Sequence, residues 1–163
     1  MEETEGIPPE RRVYVDESGI KKGYYREYAY APRGKKVHGV KKAGKGKRVN
    51  ITGGICNGER LALRTYEHTT KAPFFEHWFS GLLKEVPCGG AVIPDNARFH
   101  REQALLALIK KARRKVKLLF LPPYSPDFNP VEKSWANLKK FLKHFSHNFT
   151  SLLAAVLAFF KLG

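Results

Sequence analysis

Apolar residues along this chain follow two periodicities, and the change from one to the other outlines a fold. Arg12–Glu17 (RVYVDE) is β-branched and aromatic and predicts a first strand that ends in acids. Gly23–Tyr30 (GYYREYAY) predicts a second strand. Val49–Cys56 and Arg60–Tyr66 predict two more, joined at Asn57-Gly58, a pair that favours a tight hairpin turn. After Pro73 the spacing becomes helical, with Phe75, Trp78, Phe79, Leu82 and Val86 along one face. Gly89-Gly90 opens a short strand, Ala91–Pro94, which stops at Asp95-Asn96. A helix is predicted from about Phe99 to Arg113, with Leu105, Leu108, Ile109 and Ala112 on one stripe. Val116–Leu121 predicts a short strand stopped by Pro122-Pro123, and residues 122–130 (PPYSPDFNP) a rigid loop. The next helix, Pro130 to about Lys143, places Val131, Trp135, Leu138 and Leu142 on its core face, and a last helix covers Thr150–Lys161.

Hairpins early and strand–helix–strand units later imply an α/β domain, a mixed sheet with helices packed on it. Residues 1–11 read as a loose acidic leader and 12–163 as one domain. In such sheets sites lie beyond the carboxyl ends of strands, where strand order switches. Asp16 and Asp95 each sit at such an end, so their carboxylates converge if the two strands are parallel neighbours. The stretch Leu152–Phe160 is apolar almost all round and must be buried, either by closing the core, the preferred reading, or against a partner.

Composition narrows the class. A chain of 163 residues with 42% hydrophobic and 12% aromatic side chains can bury a core and is no disordered tail. Residues 11–163 hold 30 basic and only 11 acidic side chains, which favours a polyanionic partner. Two cysteines, Cys56 and Cys88, make no disulfide framework, so a reducing compartment is expected. The acidic N-terminus is no signal peptide, and the longest apolar run is too short to span a bilayer. A membrane enzyme and a disulfide scaffold are excluded. No paired Cys or His spacing supports a zinc site.

In so basic a chain, acids placed to meet stand out. Asp16, Asp95 and Glu132 fall at a strand end, a strand end and a helix start. Converging carboxylates repel unless a cation sits among them, and hard oxygen ligands suit Mg²⁺ or Mn²⁺. Two such ions about 3.5–4 Å apart activate a nucleophile and stabilise the leaving oxygen at a phosphodiester. Plainer readings exist. Asp16 and Asp95 can simply end strands and start turns. Asn129-Pro130-Val131-Glu132 has the form of a capping box, with Asn at N-cap, Pro at N1 and Glu at N3.

Four motifs carry a resemblance. VYVDESG (13–19), APRGKK (31–36), PDNARFH (94–100) and LPPYSPDFNPVEKSWANLK (121–139) resemble, in this order, the DDE domain of insertion-sequence transposases, the bacterial branch of the mariner-like superfamily. The resemblance implies a ribonuclease H-like fold, two divalent metals (Mg²⁺, with Mn²⁺ as substitute), and cleavage and joining of transposon DNA ends. It places the catalytic, metal-holding triad on Asp16, Asp95 and Glu132, with 36 residues between the last two. It also implies double-stranded DNA as partner, a homodimer on paired ends, and a cytoplasmic, nucleoid-associated place in a bacterial cell. Full-length relatives carry N-terminal helix-turn-helix modules. The chain is expected to lack that part, which in some relatives lies on a separate reading frame. Pro94 stands where relatives usually carry an aliphatic residue or Met. Another ribonuclease H-like nuclease, or a DNA-binding remnant without activity, are the competing readings.

Around the triad, Asn96 is expected to orient Asp95 or make a turn, and His100 to contact DNA or a metal-bound water or simply to open a helix. Glu17 should point to the face opposite Asp16 and be a solvated or structural acid, and Trp135 should pack. The expected DNA contacts are Arg33, Lys35, Lys36, Lys41, Lys42, Lys45, Lys47 and Arg48 in a glycine-rich loop, together with Arg98, Lys139 and Lys143. Lys139 and Lys143 share a helix face with Glu132.

Overall fold

The computed structural model describes residue 4 and residues 6–21, 32–34, 48–122 and 128–162. The predicted strand Gly23–Tyr30, six lysines of the basic loop (Lys35, Lys36, Lys41, Lys42, Lys45, Lys47) and residues 123–127 of the Pro-rich loop lie outside the described residues. A 3₁₀ turn at Pro9–Arg11 leads into β1 (Arg12–Lys21). Next come β2 (Arg48–Cys56), β3 (Glu59–Tyr66), α1 (Ala72–Leu82), β4 (Ala91–Pro94), α2 (Glu102–Lys111), β5 (Lys117–Leu118), α3 (Val131–Phe145) and α4 (Leu152–Leu162).

The five strands form one mixed sheet in the order β3-β2-β1-β4-β5. The hairpin between β2 and β3 turns at Asn57 (φ 48°) and Gly58 (φ 84°), the doubly positive geometry that Asn-Gly adopts at low cost. β1 is antiparallel to β2 along its whole length but parallel to β4 only over Arg12–Val15. Beyond Val15 one edge of β1 is therefore uncovered by β4, and a cleft opens there. The predicted strand Val116–Leu121 shortens to two residues for a physical reason. Leu119 and Leu121 still donate to the Val92 and Pro94 carbonyls (both 3.0 Å), but Pro94 has no N–H to return a bond.

Alternation along β1 splits the core. Val13 and Val15 face α1 and α2, where they meet Phe75, Phe79, Leu82, Leu105 and Ile109. Ile20, with Val49 and Ile51 of β2, faces Val131, Trp135, Leu138 and Leu142 of α3 and Ala155 and Val156 of α4. The C-terminal helix thus closes the second core, leaving Leu157 43% exposed. Helix α2 is shorter than predicted: Phe99 and His100 precede it, and Ala112 is exposed rather than on its buried stripe. A bulge in β3 opposite β2 puts Ala62 at positive φ (47°). Its amide donates to Glu85 Oε2 (2.9 Å) and its carbonyl accepts from Trp78 Nε1 (2.6 Å), so the irregular backbone stays satisfied.

Candidate active site

The parallel register ends where Val15 pairs with Pro94, which sets Asp95 just past the end of β4 and Asp16 beside it. The strand predicted to end at Glu17 runs on to Lys21, so Asp16 lies within β1 and not at its end, because β2 continues to pair with it. Glu132 arrives from the first turn of α3. Its charge, like that of Asp95, acts on Asp16. The structure thus brings the three predicted acids to one end of the sheet.

Asp16 is 7% exposed, and both of its oxygens are held. Oδ1 accepts from the Glu17 amide (2.8 Å) and Oδ2 from Trp135 Nε1 (3.0 Å). Trp135 was expected only to pack; it packs and also donates, using the polar edge of an otherwise apolar ring. Gly53 is the cross-strand neighbour of Asp16 and leaves room chiefly for Leu63. A Cβ there would lie 3.0 Å from Leu63 Cδ1 and 3.6 Å from the indole. Burial pushes the Asp16 carboxyl from 3.8 up to about 7, against the Glu17 amide bond and with the charges of Glu132, Glu17 and Asp95 adding to the rise.

His100 is the buried hub of the other side. Its Nδ1 meets the Asp95 carbonyl and Oδ1 (both 2.9 Å), and its Nε2 meets Glu17 Oε1 (3.2 Å). Its ring lies 4.1 Å from that of Phe75, centroid to centroid. Burial alone would lower its pKa, but the bonds to Asp95 and Glu17 outweigh burial and push it up to about 10. Burial raises Glu17 despite His100. For Asp95 burial is outweighed by the His100 bond and charge and by the Ala97 amide (3.2 Å), which hold its carboxyl below the usual range.

As expected, Glu17 faces away from Asp16, yet it is not remote, because Asp95 and His100 come round to its side. Ligand atoms of Glu17, Asp95 and His100 lie within 4.8 Å of one another. Both imidazole nitrogens there are already spent on carboxylates, so this trio is an ion-paired knot rather than a cage. Asn96 is exposed, and the turn bond to Asp95 comes from the Ala97 amide instead. Asn129 is buried, accepts from the Val131 amide (3.1 Å) and reaches the Val15 carbonyl (3.5 Å). It therefore caps α3 as the motif predicts. The reciprocal half of the capping box is absent: the exposed Glu132 side chain makes no hydrogen bond among the described residues. Arg33, Arg48, Arg98, Lys139 and Lys143 are all exposed.

Carboxylate oxygens are the donor type a divalent cation takes, although among the described residues the trio with ligand atoms within 4.8 Å of one another is Glu17, Asp95 and His100, not Asp16, Asp95 and Glu132. Asp16, Asp95 and Glu132 offer hard oxygens, and at Asp16 the charges of Glu132, Glu17 and Asp95 add to a rise that burial leads and the Glu17 amide bond only partly opposes.

The model of the DDE superfamily endonuclease family matches residues 11–153, and the chain belongs to that family. Its fold is ribonuclease H-like, as known structures bear out. A Mos1 transposase paired-end complex with the left transposon end superposes with a TM-score of 0.68 at 19% identity, over 82% of this chain and 42% of that one. A Mos1 mariner paired-end complex with Mn gives 0.61 at 18%, over 83% and 48%. The catalytic core domain of BIV integrase gives 0.51 at 13%, over 90% and 78%. This chain spans about 42% of the first Mos1 chain. No curated protein sequence matches it. Among the described residues no helix is long and apolar enough to cross a membrane.

Proposed function

We propose that this chain is the catalytic domain of a transposase of the bacterial insertion-sequence branch, which cuts transposon ends and joins the freed 3′ hydroxyls to target DNA. The observation that carries the reading is the meeting of Asp16, Asp95 and Glu132 at one sheet end in a chain of net charge +15. Membership of the DDE endonuclease family supports it.

Asp16, Asp95 and Glu132 would hold divalent cations, Mg²⁺ or Mn²⁺. Mos1 paired-end complexes include one with Mn and one with Mg. When bound, the cations supply Lewis-acid activation of the attacking oxygen and neutralise charge at the phosphodiester. The chain's own part is positioning. Trp135 and the Glu17 amide fix the Asp16 carboxylate, and His100 with the Ala97 amide fixes Asp95. Lys139 and Lys143, exposed on the helix that carries Glu132, hold the DNA backbone beside it. The domain works as a homodimer on paired ends, and end recognition comes from a helix-turn-helix part on the same or a separate polypeptide.

The test is strand transfer. A labelled duplex with a free 3′ hydroxyl is incubated with the chain, supercoiled target plasmid and Mg²⁺ or Mn²⁺. Label covalently joined to the plasmid, and lost in EDTA, supports the reading. Metal-dependent cutting of RNA–DNA hybrids with no joining would instead make the chain a different nuclease on this fold.

A further inference from the structure

A cleft of about 350 Å³ beside Asp16 is lined by Glu17, Gly19, Arg48, Asn50, Thr70 and Asp95 among others. Its least explained feature is the contact between Gly19 and Arg48. In the β1–β2 register Gly19 pairs with Asn50 and Lys21 with Arg48, so Arg48 lies diagonally across from Gly19 on the same face as Glu17. Its guanidinium bends over Gly19 so closely that a methyl group there would overlap it. Gly19 is not among the positive-φ glycines. What a glycine provides here is space, and Arg48 fills it.

The guanidinium has no hydrogen bond or ion pair among the described residues. Glu17, the nearby acid of the same face, is already bonded to His100. Asn50 Nδ2 donates to the His68 carbonyl (2.5 Å) and the Thr70 hydroxyl bonds Tyr66 Oη (2.6 Å), and neither residue bonds Arg48. Arg48 therefore presents a planar fork, unbonded among the described residues, to a cleft that also contains Asp95. That fork matches two oxygens of a phosphate.

We infer that Gly19 and Arg48 form a subsite for a DNA backbone phosphate, on the β2 side of the acids and next to the phosphate that reacts. The inference rests on the reading of this chain as a DNA-cutting domain and names how that DNA is gripped. Arg48 is a positioning residue, and Gly19 acts through it.

The test separates the group from its charge. Binding of the full chain to a short fluorescent duplex is measured in EDTA across a salt series, so that no cutting is needed. Wild type, Gly19→Ala, Arg48→Ala and the double variant are compared. Arg48→Ala should lower the slope of log affinity against log salt by about one. Gly19→Ala, which removes no charge, should weaken binding to a similar extent, because the methyl displaces the guanidinium. The displaced atoms are the far end of a flexible side chain, so this variant should melt like wild type. The double variant should bind like Arg48→Ala alone. Gly19→Ala binding like wild type, or losses that simply add, would overturn the subsite. Nicking of supercoiled plasmid with Mg²⁺ by the same proteins, run beside the binding series, keeps the two readings apart. Arg48-dependent binding by a chain that never cuts with metal would keep the subsite and remove the catalytic reading. Metal-dependent cutting by a chain indifferent to both substitutions would do the reverse.

Discussion

Trp135 Nε1 donates to Asp16 Oδ2 at 3.0 Å, so the helix that brings Glu132 also locks the carboxylate of β1. One rigid element thereby sets two of the three acids. Trp135→Phe keeps most of the ring's packing and removes the donor. It should weaken Mn²⁺ binding by about tenfold, the usual scale for a lost partner of a metal ligand. Titration calorimetry with Mn²⁺ checks this, with thermal melting as the control for packing. Unchanged Mn²⁺ affinity would reduce Trp135 to a core residue.

Glu132 and Asn129 separate two roles that the capping-box pattern merges. Glu132→Gln leaves the Asn129 bond to the Val131 amide untouched and should melt within about 0.5 kcal/mol of wild type, as most exposed substitutions do. It should nevertheless abolish metal-dependent nicking. Asn129→Ala should cost about 1 kcal/mol or more in urea unfolding, because it removes the cap of α3. A Glu132→Gln protein that folds and still nicks would leave Glu132 with no catalytic part.

Much of this was legible in the sequence. The Asn57-Gly58 hairpin, the strand Ala91–Pro94 and the buried stripe of α3 follow from local turn chemistry and periodicity. The convergence of Asp16 and Asp95 needed only the inference that their strands are parallel neighbours. The Trp135 bond was hidden because periodicity assigns an indole to a core without saying where its N–H ends up. Glu17 was placed on the correct face, but the return of Asp95 and His100 to that face depends on the turn after β4, a three-dimensional fact. The short β5 follows from Pro94, whose missing donor is visible in the sequence while its partner strand is not.

His100 bonds to Glu17 and Asp95 from a buried position, so removing it should strand a buried carboxylate. His100→Ala is expected to cost about 3–5 kcal/mol. Glu17→Gln, which still accepts from Nε2, should cost much less. Adding Glu17→Gln to His100→Ala should recover part of the loss, because no buried charge is then left unpaired. Urea unfolding of the four proteins at one pH reads this out. Simple additivity would mean that the pair is not coupled.

The Asp16 carboxyl, at about 7 in the folded protein against 3.8 as its ordinary value, has a definite sign. The unfolded chain releases this proton first as pH rises. Stability without metal should therefore fall between about pH 4 and pH 7, by on the order of 4 kcal/mol from this group, and then level off. Asp16→Asn should lose that part of the slope, and Mg²⁺ should oppose it by binding the folded state. Urea midpoints in EDTA at several pH values test the difference between the two proteins. Identical slopes would show that Asp16 titrates normally.

The most direct measurement is nicking of supercoiled plasmid by the purified chain with Mg²⁺, Mn²⁺ or EDTA, with Asp95→Asn and Glu132→Gln alongside. The predicted result is nicking that requires metal and disappears in both variants while their melting temperatures hold. Nicking that persists in either folded variant, or that ignores EDTA, would contradict a metal site built from these acids.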